Sequence, residues 1–236
     1  MTVLDGLTAL DTALHEQPAL SLHFYSYGIL LHRRLPDGGE TEYPVAPDQL
    51  ATALAAKMHF ETGVLSGNTI YLASEGVSRV VLEFRKPQQT ALFLDGLEQP
   101  VRVPLPGLLM LRVTLGNDTP RYGVYAVKRR PTTLETPLFH APLPNTDSRS
   151  ICWGTVKKPS PEGLASLTLD EDWRLFLGSV FTNHSVGGKS KTHPADIRQK
   201  LIALDRSQAR TYPVRDLIPL KMTLNDVLEK VRHEYV

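Results

Sequence analysis

The sequence has very little cysteine: Cys152 is the single one among 236 residues. One thiol cannot form a disulfide within the chain, and it cannot supply a metal site built from several cysteines. Free cysteine is commonly a small buried hydrophobic residue, and otherwise its reactivity explains its presence. Cys152 is therefore either packing material or a nucleophile, and composition alone leaves both open.

The chain also lacks a charge imbalance, a long apolar run and a secretory signal. It has 26 basic and 25 acidic residues, so no net field attracts it to nucleic acid or anionic lipid. No apolar stretch approaches the roughly 20 residues of a membrane helix, and Met1–Asp5 shows no basic-then-apolar layout. We expect a cytoplasmic globular protein with no membrane contact and no direct nucleic-acid contact.

The first part of the chain predicts a hairpin and a helix. Leu20–Leu35 is rich in aromatic and aliphatic residues and leads into a turn at Pro36–Gly39, after which Thr41–Val45 forms the returning strand. The period then changes over Ala46–Phe60, where Pro47 suits a first helical turn.

The middle of the chain predicts an antiparallel meander of about four strands. A turn at Gly116–Pro120 is the strongest hairpin signal. The following residues, 130–152, contain four prolines and little periodicity. Loops of this length in compact domains are usually functional. The strands are expected over Val77–Arg85, Thr90–Leu94, Leu108–Leu115 and Arg121–Lys128.

The last part of the chain predicts helices. A capping-box pattern at Thr168–Glu171 precedes an apolar stripe, Pro194 can open the next helix, and Thr223 can cap a terminal one. The stripe consists of Leu169, Trp173, Phe176, Leu177 and Val180. Strands followed by a loop and then helices indicate an α+β fold.

The arrangement around the cysteine resembles that of the ubiquitin-conjugating enzymes. In that fold a β-meander ends in a proline-rich stretch, and a His-Pro-Asn tripeptide, an Ile-Cys or Val-Cys nucleophile and a helix follow. This chain has that order across residues 76–205, with Asn145 ahead of Ile151 and Cys152. The Cys-Trp-Gly triplet and the Ala126–Pro131 run are similar to a divergent bacterial group, PRTRC system protein B (prokaryotic ubiquitin-conjugating family D).

Two features of the site depart from the family pattern. Leu143 stands where the family has histidine, so the tripeptide reads Leu-Pro-Asn, and His140 lies three residues too early to replace it. The spacing from Asn145 to Cys152 is one residue shorter than in typical eukaryotic members, and no glycine lies just ahead of Ile151. The asparagine–cysteine pair is retained.

The resemblance implies a role for each of three residues. Cys152 would attack one thioester as a thiolate and hold another. Asn145 would donate to the oxyanion of the tetrahedral intermediate or brace the loop, and the two roles stay open. His184 lies in the loop after the next helix, where its imidazole could accept a proton from an attacking amine. A solvated histidine or a local cap is the plainer interpretation of His184.

The resemblance also implies a fold, a function and partners. We expect a ubiquitin-conjugating-like domain over 71–236 and an N-terminal extension, a hairpin plus helix, packed on it over 1–70. The chain would accept a ubiquitin-like protein as a thioester from a ThiF-type activating enzyme and pass it to an acceptor. A JAB-type metallopeptidase is a further expected partner, and the chain itself should need no cofactor or metal. The alternatives are a non-catalytic variant that only binds a ubiquitin-like partner and a plasmid-maintenance scaffold without thiol chemistry.

Other motifs in the sequence have plainer explanations. Gly187–Ser190 suggests a phosphate-binding loop, but the full motif needs a glycine where Asn183 stands and a strand ahead of it. Neither His184 nor His193 has a second cysteine or an acidic residue at metal-ligand spacing. The basic stretches at Lys128–Arg130 and Lys157–Lys158 predict a solvated face or a docking surface for an acidic partner.

Overall fold

The structure is a computed structural model that describes residues 20–35, 37–55, 59–64, 67–75, 78–115, 119–147, 150–159 and 167–235. The chain divides into two compact units between residues 57 and 58. This boundary follows the first described helix, Pro47–Ala55.

The described part of the first unit contains three antiparallel strands and a helix. The strands pair in chain order, β1 with β2 and β2 with β3. Their bounds are β1 Leu20–Tyr25, β2 Gly28–Arg34 and β3 Glu40–Val45, and the helix α1 is Pro47–Ala55. The predicted hairpin is therefore confirmed as β2 and β3. The apolar segment Leu20–Leu35, expected to supply its first strand, forms two strands, β1 and β2.

The second unit is built on a seven-stranded antiparallel sheet. Its strand order is β13-β11-β10-β9-β6-β5-β4, and a hairpin of β7 and β8 joins β6 to β9 outside it. The strands are β4 His59–Glu61, β5 Thr69–Glu75, β6 Ser78–Arg85, β7 Gln88–Leu94, β8 Val101–Leu105, β9 Gly107–Leu115, β10 Arg121–Val127, β11 Pro137–His140, β12 Val180–Phe181 and β13 Pro219–Thr223. The helices are α2 Asp170–Leu177, α3 Ile197–Arg206 and α4 Leu224–Tyr235.

Both faces of this sheet are buried, because successive side chains of a strand point to opposite faces. In β9, Leu108 and Met110 belong to one apolar cluster, whereas Leu109 and Leu111 belong to another. The first cluster contains the apolar faces of α2 and α3, and the second contains that of α4. The sheet thus lies between helices, and the cysteine segment is on the α2 and α3 side.

Most predicted elements occur in the structure. The hairpin of β9 and β10 pairs Val113 with Arg121, although residues 116–118 of its turn lie outside the described residues. Helix α3 buries its predicted stripe of Ile197, Leu201 and Leu204. At the start of α4, the hydroxyl of Thr223 accepts from the Asp226 backbone amide at 3.2 Å, which confirms the predicted cap.

Three local predictions are wrong. Helix α1 is described over Pro47–Ala55 and His59 begins a strand, so the helical period does not extend to Phe60; residues 56–58 lie outside the described residues. Residues 130–152 are not wholly irregular, because β11 pairs with both β10 and β13. Val180 is exposed and lies in β12, since α2 ends at Leu177.

The predicted capping box at Thr168 also does not form. Leu169 is the residue that precedes α2, and no side chain caps the helix. The Leu169 amide instead donates to the buried Glu83 carboxylate at 3.0 Å, so tertiary contact replaces the local cap. Glu83 lies in β6, and this bond fixes the helix start on the sheet.

No helix among the described residues is long and apolar enough to cross a membrane.

Candidate functional site

Cys152 lies on an irregular segment directly after an isolated β-bridge between Thr146 and Ile151. The residue is half-buried. The next residue, Trp153, is buried, and its ring packs edge-on against Tyr122 and Phe176. The cysteine is thus held at the surface between two residues anchored in the core.

The three predicted site residues lie side by side. The backbone amide of Cys152 donates to the carbonyl of Asn145, and the amide of Asn145 donates to the carbonyl of His184, both at 2.8 Å. Asn145 is therefore the middle of three adjacent backbone segments. Residues far apart in the sequence are brought together at this point.

Asn145 is buried and has a left-handed backbone, with φ of 58°. Asparagine tolerates this conformation better than most residues, because its short polar side chain can bond locally. Its Nδ2 donates to the carbonyl of Val180 at 3.2 Å, and its Oδ1 accepts from the hydroxyl of Thr182 at 2.9 Å. The side chain joins the cysteine segment to the loop after α2, as a brace would.

The loop after α2 is held by several polar contacts, while His184 itself is exposed. The His184 amide donates to the Thr182 hydroxyl at 3.2 Å, and the Ser185 hydroxyl donates to the Thr146 carbonyl at 2.7 Å. The backbone at His184 is thus fixed on both sides.

Lys189 is an unforeseen part of this site. Only 2 % of it is exposed. Its ammonium group donates to the carbonyl of Leu143 at 2.7 Å, to the hydroxyl of Thr146 at 2.8 Å and to the carbonyl of Thr146. These acceptors lie on either side of Asn145 in the chain, so the buried ammonium group contacts both ends of the turn formed by Leu143–Thr146.

Burial and neighbouring charges shift the pKa values of Lys189 and His140. Burial lowers the pKa of Lys189 to about 7, and the carboxylate of Asp147 acts in the opposite direction. Burial and the positive charge of Lys189 both lower the pKa of His140. These two effects favour the neutral form of the His140 imidazole beside the Lys189 ammonium group.

The sequence pattern predicts Thr182 only as part of the loop that carries His184, and it gives Thr146 and Lys189 no place in the site. In the sequence Lys189 stands within Gly187–Ser190, whose glycines suggest a phosphate loop. Asn183, where the full motif needs a glycine, argues against that loop. No local pattern identifies which carbonyls a buried lysine will reach.

The described part of the chain shows no group of three or more metal-ligating side chains. The chemistry available at this site is that of a thiol, an imidazole, a carboxamide and an ammonium group.

A comparison with protein families matches residues 47–220 to the model for prokaryotic E2 family D. The match spans more than half of the chain and contains all the site residues described above. No curated protein and no solved structure matches the chain in the corresponding comparisons. The family resemblance inferred from the sequence is confirmed.

Proposed function

The chain belongs to prokaryotic E2 family D, and on that basis we propose that it carries a ubiquitin-like protein as a thioester on Cys152. The family supports a ubiquitin-conjugating-like role, and the thioester is the specific chemistry that we assign to this chain. A ThiF-type activating enzyme would supply the ubiquitin-like protein in activated form. The acceptor would be an amine.

The observation that carries the proposal is the setting of Cys152. A cysteine used for packing is normally enclosed by apolar side chains. Here Cys152 is only half-buried, follows a bridge and precedes a buried tryptophan, and its backbone amide donates to the carbonyl of Asn145. This setting fixes the backbone of the cysteine without burying the residue in the core, as a cysteine that receives a thioester requires.

The loading step is a thiol exchange. The Cys152 thiolate attacks the carbonyl carbon of the thioester on the activating enzyme, and a new carbon–sulfur bond forms. The tetrahedral intermediate then breaks its bond to the activating enzyme's sulfur, which leaves as a thiolate. The proton lost by the Cys152 thiol is balanced by the proton that the leaving thiolate can take up.

The transfer step ends in an amide. An amine of the acceptor attacks the thioester carbonyl, the bond to Sγ of Cys152 breaks, and the amine loses one proton. We assign that proton to His184, because an exposed imidazole on a fixed backbone can accept it and release it to water. The sulfur leaves as a thiolate and is ready for another cycle.

Asn145 has two roles in this proposal, and its contacts favour one. Its Oδ1 and one hydrogen of Nδ2 are engaged with Thr182 and Val180, so bracing accounts for most of its amide. Donation to an oxyanion falls to the second hydrogen of Nδ2. We therefore propose that Asn145 acts chiefly by positioning the segment that ends at Cys152.

The partners that we propose are a small ubiquitin-like protein, a ThiF-type activating enzyme and a JAB-type metallopeptidase that would reverse or process the conjugates. ATP and metal ions would belong to those proteins. A binding-only variant is the competing function. It predicts association with the ubiquitin-like protein and no covalent bond.

The test combines the purified chain with the activating enzyme, the ubiquitin-like protein and ATP. An adduct that needs ATP and is lost with reductant should form on the wild-type chain and be absent from Cys152→Ala. In Cys152→Ser, an oxygen in the same place should give an ester that resists reductant. Binding without any adduct in the wild type would favour the binding-only variant.

A further inference from the structure

Lys189 has no part in the thiol chemistry above, yet it is a charged side chain buried beside the cysteine segment. Removing an ammonium group from water is costly unless hydrogen bonds replace its hydration. The three oxygens around Nζ belong to Leu143 and Thr146, one from the former and two from the latter. They match the three hydrogens of an ammonium group.

The segment that carries Lys189 is fixed on its other side by Asp216. The Ser190 hydroxyl donates to the Asp216 carboxylate at 2.6 Å, and the amide and hydroxyl of Thr192 each donate to it at 2.8 Å. The Lys191 amide donates to the backbone carbonyl of Asp216 at 3.0 Å. The backbone next to Lys189 is thus anchored independently of the Leu143–Thr146 turn, so the lysine can restrain that turn.

The contacts of Lys189 lie on both sides of Pro144 and Asn145, which lead to the cysteine segment. Leu143 and Thr146 are the residues on either side of Pro144 and Asn145, and the Asn145 carbonyl accepts the amide of Cys152. Thr146 also forms the bridge to Ile151. Fixing both ends of this turn therefore fixes the backbone next to the sulfur.

We propose that Lys189 is a positioning residue for the proposed transfer site: its backbone segment is anchored by Asp216, and its ammonium group locks the Leu143–Thr146 turn and with it the backbone of Asn145 and Cys152. The structural effect is independent of the reaction. The catalytic consequence rests on the proposed function.

The lock depends on the charge of Lys189. A neutral amine has two hydrogens for three acceptors, so deprotonation removes one bond. Burial lowers the pKa of Lys189 to about 7, with Asp147 opposing, and His140 is the other titratable group beside it. Below that pH the ammonium and its three bonds are present, and above it the turn is less restrained.

The direct test measures hydrogen exchange of single amides by NMR in Lys189→Met, with Lys191→Met as the matched control. Lys191 is exposed and two residues away. The amides of Asn145 and Cys152 should exchange about tenfold faster or more in Lys189→Met, because charged hydrogen bonds hold the turn. The Trp173 amide, which bonds to Leu169 within α2, serves as the internal reference. Equal exchange of Asn145 and Cys152 in the two variants would overturn the proposal.

A second measurement needs no folded Lys189→Met. In wild-type protein labelled at lysine Cε, the carbon signal of Lys189 reports its charge directly, and Lys189→Arg assigns that signal. The amide signals of Asn145 and Cys152 should move with the same midpoint as the Lys189 signal. The same coupling should persist in His140→Gln. Amide signals that stay fixed while Lys189 titrates would overturn the proposal.

The loading assay separates this proposal from the proposed function. If both hold, Lys189→Met loses amide protection and loads slowly, and Lys189→Arg, which retains donors, recovers part of both. A wild-type chain that forms no thioester but needs Lys189 for amide protection contradicts the function and supports the lock. Wild-type loading by Lys189→Met with lost protection overturns the catalytic consequence of the lock.

Discussion

Asn145 connects the other two residues on which the proposed chemistry depends, Cys152 and His184. Its carbonyl and amide bond to the backbones of Cys152 and His184, and its carboxamide bonds to Thr182 and Val180. A single side chain therefore links the nucleophile segment to the loop that carries the proposed base. The two residues that it connects can be tested separately, because they act in different steps.

Asn145→Ala should impair both loading and discharge, since it removes the brace and places alanine in a left-handed backbone. Losing hydrogen bonds of a buried amide costs roughly 1–3 kcal/mol of unfolding free energy. Asn145→Gly is the control that tolerates the backbone and lacks only the amide. Urea unfolding and single-step kinetics check both variants. Normal loading in Asn145→Gly with slow discharge alone would favour oxyanion donation over bracing.

His184→Ala should slow discharge onto a free amine and leave loading nearly unchanged. Loss of a general base typically costs roughly 10²–10⁴-fold in rate. The neighbouring exposed residue Asn183 provides the control, Asn183→Ala. Pulse-chase assays measure the two steps separately. Discharge at the same rate in both variants would remove His184 from the mechanism.

At the scale of elements, two similar threonine patterns have different outcomes. Thr223→Ala should lower the unfolding free energy by about 1 kcal/mol, because its hydroxyl caps α4. Thr168→Ala should change it by less than about 0.5 kcal/mol, because it is exposed and caps nothing at α2. Urea unfolding of the two variants gives the comparison. Equal losses would show that the local sequence pattern determines the stability of both helix starts, and that the contact of Leu169 with Glu83 does not replace the cap at α2.

The same contrast explains what the sequence could predict. Long β-rich runs with a strong turn between them predicted the hairpin of β9 and β10, because the information is local. Strands β11 and β13 are only four and five residues long, contain proline, and pair with distant segments. Cys152 and Asn145 could be identified from order along the chain. The reach of Lys189 to Leu143 depends on the folded backbone, which no local pattern encodes.

At the scale of the whole molecule, all members of both large apolar clusters lie in the unit after residue 57. The expected division at residue 70 would remove β4 and the buried Ile70 from the seven-stranded sheet.

Fragment 58–236 should therefore unfold cooperatively, with a midpoint close to that of the full chain. Fragment 71–236 should be clearly less stable, because it exposes β5 and loses a fully buried isoleucine, whose removal typically costs about 2–5 kcal/mol. Thermal unfolding followed by circular dichroism compares them. Equal stability of the two fragments would place the boundary at residue 70.

The central claim is that Cys152 carries a ubiquitin-like protein, and trapping that bond on the full chain tests it most directly. Wild-type protein, Cys152→Ala and Cys152→Ser are incubated with the activating enzyme, the ubiquitin-like protein and ATP, and the products are separated with and without reductant. We predict an adduct that is lost with reductant in the wild type, none in Cys152→Ala, and one stable to reductant in Cys152→Ser. An adduct that persists in Cys152→Ala would contradict the account.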